Sequence, residues 1–146
     1  MHLASHTPNT PYAELAECLF WNVTTAISLA EQALEVGVND YILAGSCFEY
    51  GNSAYKTDLL ALDTPLEPSL SYPTSEATAS IAFTGWAREK GLRLKLIRIF
   101  QTFGPGEGKK RLWPALCHVA QVGADFRMTK GEQLRDFNQE VTEYVR

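Results

Sequence analysis

Apolar residues recur along this chain with two different periods, and their alternation predicts the layout. From about Tyr12 to Val36, Leu15, Cys18, Leu19, Val23, Ile27, Ala30 and Leu34 return every three or four positions, the spacing of one helix face. Gly37 follows as a natural stop. Tyr41-Ile42-Leu43-Ala44 is a short unbroken apolar run, the pattern of a strand in the middle of a parallel sheet. Gly45, Gly51, Pro65 and Pro68 punctuate a loop that reaches Ser71. A second helix is predicted from about Tyr72 to Lys90, with Pro73 in the first turn, where a missing N–H costs nothing, and Gly91 as its end. Leu94 to Phe100 reads as the next strand, leading into the glycine-rich turn Gly104–Gly108. A helix from about Arg111 to Val122 and two short strands, near Asp125–Met128 and Gln133–Phe137, complete the pattern. His2-Leu3-Ala4 looks like the tail of a strand without its beginning. Strand and helix in alternation predict an α/β layered domain with a largely parallel sheet, whose ligands bind at the carboxyl ends of the strands.

Composition narrows the class. The chain has 146 residues, 45% hydrophobic and 11% aromatic, enough for one domain with a buried core. A formal net charge of −4 argues against nucleic acid as the main partner. Cys18, Cys47 and Cys117 lie far apart without a CxxC pair or a secretory signal, which reads as reduced thiols in a cytoplasmic setting. His2, His6 and His118 form no ligand pattern, so no metal is expected. No apolar run approaches the roughly 20 residues that span a bilayer, so no membrane partner is expected. The sequon Asn22-Val23-Thr24 reads as part of the first helix, and Trp21, Trp86 and Trp113 as core or helix-packing residues. Lys109-Lys110-Arg111 reads as a solvated loop, with phosphate contact as the alternative.

The candidate chemistry lies at two hydroxyls. Ser46 stands just past the apolar strand, where side chains meet a cleft, and Tyr72 opens the following helix. A tyrosine can exchange a proton with a hydroxyl or carbonyl when its pKa is lowered from about 10, and a serine can share the developing charge. No G-x-G-x-x-G turn stands near the start. The Gly104–Gly108 cluster is no Walker loop, because Lys110 follows Lys109 where Ser or Thr would hold magnesium; it reads as a substrate-side loop.

Six stretches carry a resemblance in order and spacing. These are His2-Leu3-Ala4-Ser5, Asn22-Val23-Thr24, Gly45-Ser46-Cys47-Phe48-Glu49-Tyr50-Gly51, Ser71-Tyr72-Pro73-Thr74-Ser75, Arg98-Ile99-Phe100-Gln101-Thr102-Phe103-Gly104-Pro105-Gly106 and Gly131-Glu132-Gln133-Leu134-Arg135-Asp136-Phe137. Together they resemble the extended short-chain dehydrogenases/reductases, and within them the NAD-dependent nucleotide-sugar epimerase/dehydratase family. The resemblance implies a partial doubly wound, Rossmann-like parallel sheet with flanking helices and a few substrate-side strands. On this reading residues 1–146 form one partial NAD(P)-binding domain without the family's glycine-rich segment, and 101–146 lean toward the substrate.

Carried over by position, the resemblance assigns catalysis to Ser46 and Tyr72, with Glu76 at the place of the family's lysine. It puts Leu3, Ala4 and Tyr72 beside an NAD or NADP cofactor, and Gln101 and Arg135 against a nucleotide-sugar substrate; cofactor binding by this chain alone is not implied. Cys47 and Phe48 replace the Asp-Glu pair of the dehydratases, which leaves epimerisation or 4-keto-sugar reduction. Glu76, one turn after Tyr72, faces the same region and should raise the tyrosine pKa where a lysine would lower it. Three functions stay open: an impaired epimerase or reductase, a non-catalytic nucleotide-sugar-binding pseudoenzyme, and an inactive truncated fragment. By analogy the family also suggests a homodimer through helices 12–36 and 72–90.

Overall fold

A computed structural model describes residues 5–6, 9–104, 106–109, 111–126, 130 and 137–140. The chain divides into two compact units, Met1–Ile99 and Phe100–Arg146.

In the first unit the long apolar period folds as one helical run in three parts. α1 (Leu15–Leu19) passes through a wide π turn at Phe20–Thr25 into α2 (Ala26–Glu35). The Thr25 hydroxyl donates to the Phe20 carbonyl 3.0 Å away, five residues back, so it partners the carbonyl that the wider turn frees. Gly37 ends the run with a positive φ of 93°, and the Val38 N–H closes onto the Ala33 carbonyl at 3.0 Å.

β1 (Asp40–Ser46) and β2 (Arg93–Ile99) pair in parallel, with Asp40 opposite Arg93 and Ser46 opposite Ile99. Between them runs α3 (Ser71–Lys90), as a parallel pair requires a crossover. Gly91 adopts a left-handed φ of 67°, and the Leu92 and Gly91 N–H groups close on the Ala87 and Arg88 carbonyls, ending α3 with basic residues in its last turn.

α3 is not amphipathic in the ordinary sense, because it is covered on two sides. It packs against α1 and the π turn and also against the β1–β2 pair. Its buried Ser75, Ala77, Ala79 and Ser80 are small enough for close approach, and Phe83 and Trp86 fill the wider end. The core joins Ala30, Ala79, Phe83, Trp86 and Ala87, with Val23, Ile27, Leu34, Tyr41, Leu43 and Leu94 packed around it. Trp86 meets Tyr41 and Phe83 edge to face, at centroid distances of 5.1 and 5.9 Å. Burial of each such ring contributes roughly 1.5–3 kcal/mol. Of the three tryptophans only Trp86 is a core residue; Trp21 and Trp113 are half-exposed, with the Trp21 ring edge to face with that of Phe20 at 5.1 Å.

The segment 45–71 is more ordered than a loop, with two 3₁₀ turns at Cys47–Tyr50 and Asn52–Tyr55. Gly51, at a left-handed φ of 50°, has no room for a Cβ because the Glu67 carbonyl lies where one would point. That approach lets the Asn52 N–H reach the Glu67 carbonyl at 2.9 Å and folds the segment back on itself.

In the second unit, β3 (Gln101–Phe103) pairs in parallel with β4 (Phe137–Glu140), and α4 (Leu112–Val122) ends at Gly123 in a left-handed conformation. Phe137, the last residue of the expected second strand, lies in β4, and Asp125 and Phe126 are not in a strand. The rest of the two expected strands, 127–128 and 133–136, lies outside the described residues. No helix among the described residues is long and apolar enough to cross a membrane.

Candidate active site

Ser46 closes β1 and at once serves as N-cap of the first 3₁₀ turn. Its hydroxyl accepts the Phe48 N–H at 3.2 Å, and its own N–H donates to Glu49 Oε1 at 2.8 Å. This reciprocal capping box fixes the serine where the strand ends. Glu49 is fully buried at 0% exposure. Its Oε2 accepts from the Ser80 hydroxyl of α3 at 2.7 Å and from Arg98 Nε of β2 at 2.8 Å. One carboxylate therefore ties three elements together beneath Ser46, and the Arg98 guanidinium also lies over the Tyr50 ring, 5.1 Å from its centroid. Gly45 must lack a side chain, since a Cβ there would run into Glu49 Oε1.

Tyr72 stands in the first turn of α3, only 7% exposed, with its ring 5.4 Å from that of Tyr12. The Ser46 and Ser5 hydroxyls both act on its own. Burial above all, then the Glu76 carboxylate, pushes this phenol up to about 12, against the hydrogen bonds of the two serines. Glu76 lies one helical turn later and accepts the Ser5 hydroxyl at 3.2 Å. Burial, with a smaller push from the Glu49 carboxylate, raises Glu76 to about 7, and the Ser5 hydrogen bond acts against that rise.

The Ser5 segment is held from behind by Asn22, in the π turn. The Asn22 side chain accepts the His6 N–H at 2.7 Å and donates to the His6 carbonyl at 3.3 Å and to Ser75 Oγ at 3.0 Å. Ser75, itself fully buried, donates to the Tyr72 carbonyl at 2.8 Å. Ser71 adds a second tie, donating to the Ala13 carbonyl at 2.7 Å.

The structure thus brings together Ser46, Tyr72 and Glu76. Gln101 begins β3 in the second unit, and Leu3, Ala4 and Arg135 lie outside the described residues. Arg111 of the basic run pairs with Glu107 at 3.2 Å, the solvated-loop reading, while Lys110 lies outside the described residues. Ser5, Asn22, Glu49 and Arg98 are site residues to which the sequence reading assigned no role. Only Glu49 carried a local signal, as the fourth member of an S-x-x-E capping box.

With this geometry in hand, the similarities to known proteins take on meaning. A family model described as the NAD dependent epimerase/dehydratase family matches residues 1–142. Among solved structures, a dTDP-glucose 4,6-dehydratase from Bacillus anthracis str. Ames, in complex with NAD, superposes with a TM-score of 0.77 at 24% identity. The match covers 92% of this chain and 43% of that one. A UDP-N-acetylglucosamine 4-epimerase from Methanobrevibacter ruminantium M1, in complex with UDP-N-acetylmuramic acid, gives 0.77 at 20% identity, over 92% of this chain and 45% of that one. An NAD-dependent NDP-hexosamine 5,6-dehydratase of tunicamycin biosynthesis gives 0.76 at 28% identity, over 93% and 45%. The chain therefore spans less than half the length of each of these proteins. No curated protein matches it in sequence. The shared fold is the Rossmann-like α/β type, represented here in part.

Proposed function

Because this chain belongs to the NAD-dependent epimerase/dehydratase family, we propose that Ser46 and Tyr72 are the substrate-facing pair of a nicotinamide-dependent nucleotide-sugar active site. The observation that carries this reading is that the Ser46 hydroxyl acts on the Tyr72 phenol at the carboxyl end of β1, the end at which open α/β sheets bind ligands. A sugar oxygen placed there meets two O–H groups, one to exchange a proton and one to stabilise charge. Epimerisation or keto-sugar reduction fits better than dehydration. Cys47 and Phe48 follow Ser46, and Phe48 is exposed, so neither place supplies a carboxyl group to move a second proton.

The cofactor in this reading is NAD or NADP, which supplies hydride acceptance and donation. The side chains around Tyr72 fit its nicotinamide-riboside end: three hydroxyls and the Glu76 carboxylate can exchange hydrogen bonds with sugar hydroxyls. Leu3 and Ala4 are assigned beside the same cofactor, and Gln101 and Arg135, within 101–146, to the nucleotide sugar. A cytoplasmic homodimer through 12–36 and 72–90 belongs to the same reading, supported by the exposed Phe20, Trp21 and Leu29 on the first segment and Ile81 on the second.

A second reading, a nucleotide-sugar binder without turnover, is favoured by one observation: the Tyr72 phenol pushed up to about 12. Calorimetric titration with NAD, NADP and UDP-, dTDP- and GDP-sugars, followed by absorbance of reduced nicotinamide, separates the two. Binding with turnover supports the enzyme, and binding without it supports the second reading. Failure of every nucleotide sugar to bind removes both.

A further inference from the structure

We propose that Glu49 is a positioning residue: through the backbone of Ser46 it sets the serine hydroxyl as a hydrogen-bond donor to the substrate oxygen. That this oxygen belongs to a sugar rests on the functional reading above; the clamp itself rests on hydrogen-bond geometry.

Three elements build the clamp. Glu49 follows Ser46 within one 3₁₀ turn, so its side chain folds back over the end of β1. Gly45 stands opposite Arg98 in the β1–β2 register. A Cβ on Gly45 would run into Glu49 Oε1 and stand 3.4 Å from Ser80 Oγ, so the glycine leaves the space that the carboxylate fills. Three donors converge on that carboxylate. The Ser46 N–H takes Oε1 at 2.8 Å, while the Ser80 hydroxyl and Arg98 Nε take Oε2 at 2.7 and 2.8 Å. The Arg98 side chain is only 18% exposed and its guanidinium lies over the buried Tyr50 ring, so the pair is shielded from water. In such a setting each bond is stronger than at a surface, and the carboxylate is fixed from three sides.

Burial decides the kind of role. Glu49 is 0% exposed, so it acts only through what it holds. With the Ser46 N–H tied to Glu49, the Ser46 hydroxyl turns back and accepts the Phe48 N–H at 3.2 Å. A backbone donor thereby occupies one lone pair of the hydroxyl oxygen, and the O–H proton points away from it. A serine held in this state presents a donor outward, the polarity that a ketone or a developing alkoxide oxygen needs.

The donor count makes the clamp specific to a carboxylate. All three groups around position 49 donate, so that position must supply two acceptor oxygens. Glutamine has one oxygen and a donor NH₂, so Glu49→Gln sets that NH₂ against the Ser46 N–H or against Arg98 Nε–H. A second substitution removes the conflict. In Arg98→Gln the amide oxygen stands as many bonds from the backbone as the arginine Nε does. In Glu49→Gln/Arg98→Gln the amide at 49 can therefore accept from the Ser46 N–H and donate to the oxygen at 98 and to Ser80 Oγ.

Backbone hydrogen exchange, read by NMR in the full chain, tests the clamp without turnover. Glu49→Gln should speed exchange at Ser46 and Phe48 by about tenfold or more beyond any change in the α3 amides. The double variant should return Ser46 to within about threefold of wild type. Unchanged exchange at Ser46, or equal acceleration at every amide, overturns the positioning role. If the single variant does not fold, the double variant decides alone: Ser46 exchange within that range supports the clamp, and faster exchange overturns it. Where turnover is measurable, Glu49→Gln should lower kcat by about 10–100-fold with KM within about threefold, because a misdirected donor is missed chiefly in the transition state. The double variant should recover kcat. A loss carried by KM, or one without recovery, overturns the proposal. The expected exchange pattern in a chain that binds no nucleotide sugar overturns the functional reading and leaves the clamp on Ser46 standing.

Discussion

Replacing Glu76 by lysine would restore the family's cation one turn from Tyr72, and the structure says how far that goes. Tyr72 stands at about 12 instead of 10.0, with burial the largest cause and the Glu76 carboxylate the second. Side chains at i and i+4 stand roughly 6 Å apart. At an effective dielectric of about 20, a unit charge at that distance contributes about 3 kcal/mol, or about two pH units. Glu76→Gln should therefore lower the Tyr72 midpoint by about one to two pH units, and Glu76→Lys by about a further one to two. Burial is untouched by either substitution, so even the lysine variant should keep Tyr72 above neutrality, at about 8–10. The assay is the tyrosinate absorbance titration of each variant, with Tyr72→Phe counterparts subtracted to isolate the single phenol. An unchanged midpoint in Glu76→Gln would show that the carboxylate is not felt at Tyr72. A Glu76→Lys midpoint at or below about 7 would refute burial as the dominant cause.

Two further outcomes follow from buried carboxylates. Glu49→Ala leaves Arg98 without its counter-charge and strands the Ser46 N–H and the Ser80 hydroxyl; urea denaturation should show a loss of about 3–5 kcal/mol, and a loss under about 1 kcal/mol would refute the clamp. Glu76 binds its proton more tightly in the folded chain, at about 7 against an ordinary glutamate's 4.5, so its contribution to stability is complete below about pH 4.5 and is lost as pH rises through about 7. The denaturation midpoint should fall across that window by an equivalent of at most about 3 kcal/mol, and Glu76→Gln should flatten the fall; an equally steep fall in the variant would assign it to other groups.

Much of the fold was legible because it depends on local periodicity. The apolar run at Tyr41–Ala44, the spacing through Leu34 and the stops at Gly37 and Gly91 each reflect one residue's conformational needs or one element's burial pattern. The π turn at Phe20–Thr25 carried no such mark: its apolar spacing is that of an ordinary helix, and only the His6 segment and Ser75 show what its Asn22 holds. The order within 45–71 was hidden for a similar reason, since the Glu67 carbonyl that occupies the space beside Gly51 comes from sixteen residues away. Trp21 and Trp113 failed as core residues because hydrophobicity alone does not tell which face of a helix a neighbour covers.

The site divides along the same line. Ser46, Tyr72 and Glu76 could be marked from sequence, because a strand end, a helix start and a spacing of four are local facts. Sequence also predicted the direction in which Glu76 acts on Tyr72, which follows from charge sign and helix geometry alone. What it could not supply is burial, which proves to be the larger cause for Tyr72 and which moves Glu76 itself to about 7. Nor could it supply Ser5, 71 positions from Glu76 yet bonded to it, or Glu49, joined to Arg98 across 49. Desolvation and long-range hydrogen bonds exist only when distant segments close around a group, so the tertiary structure alone decided how far the titration of these residues is perturbed.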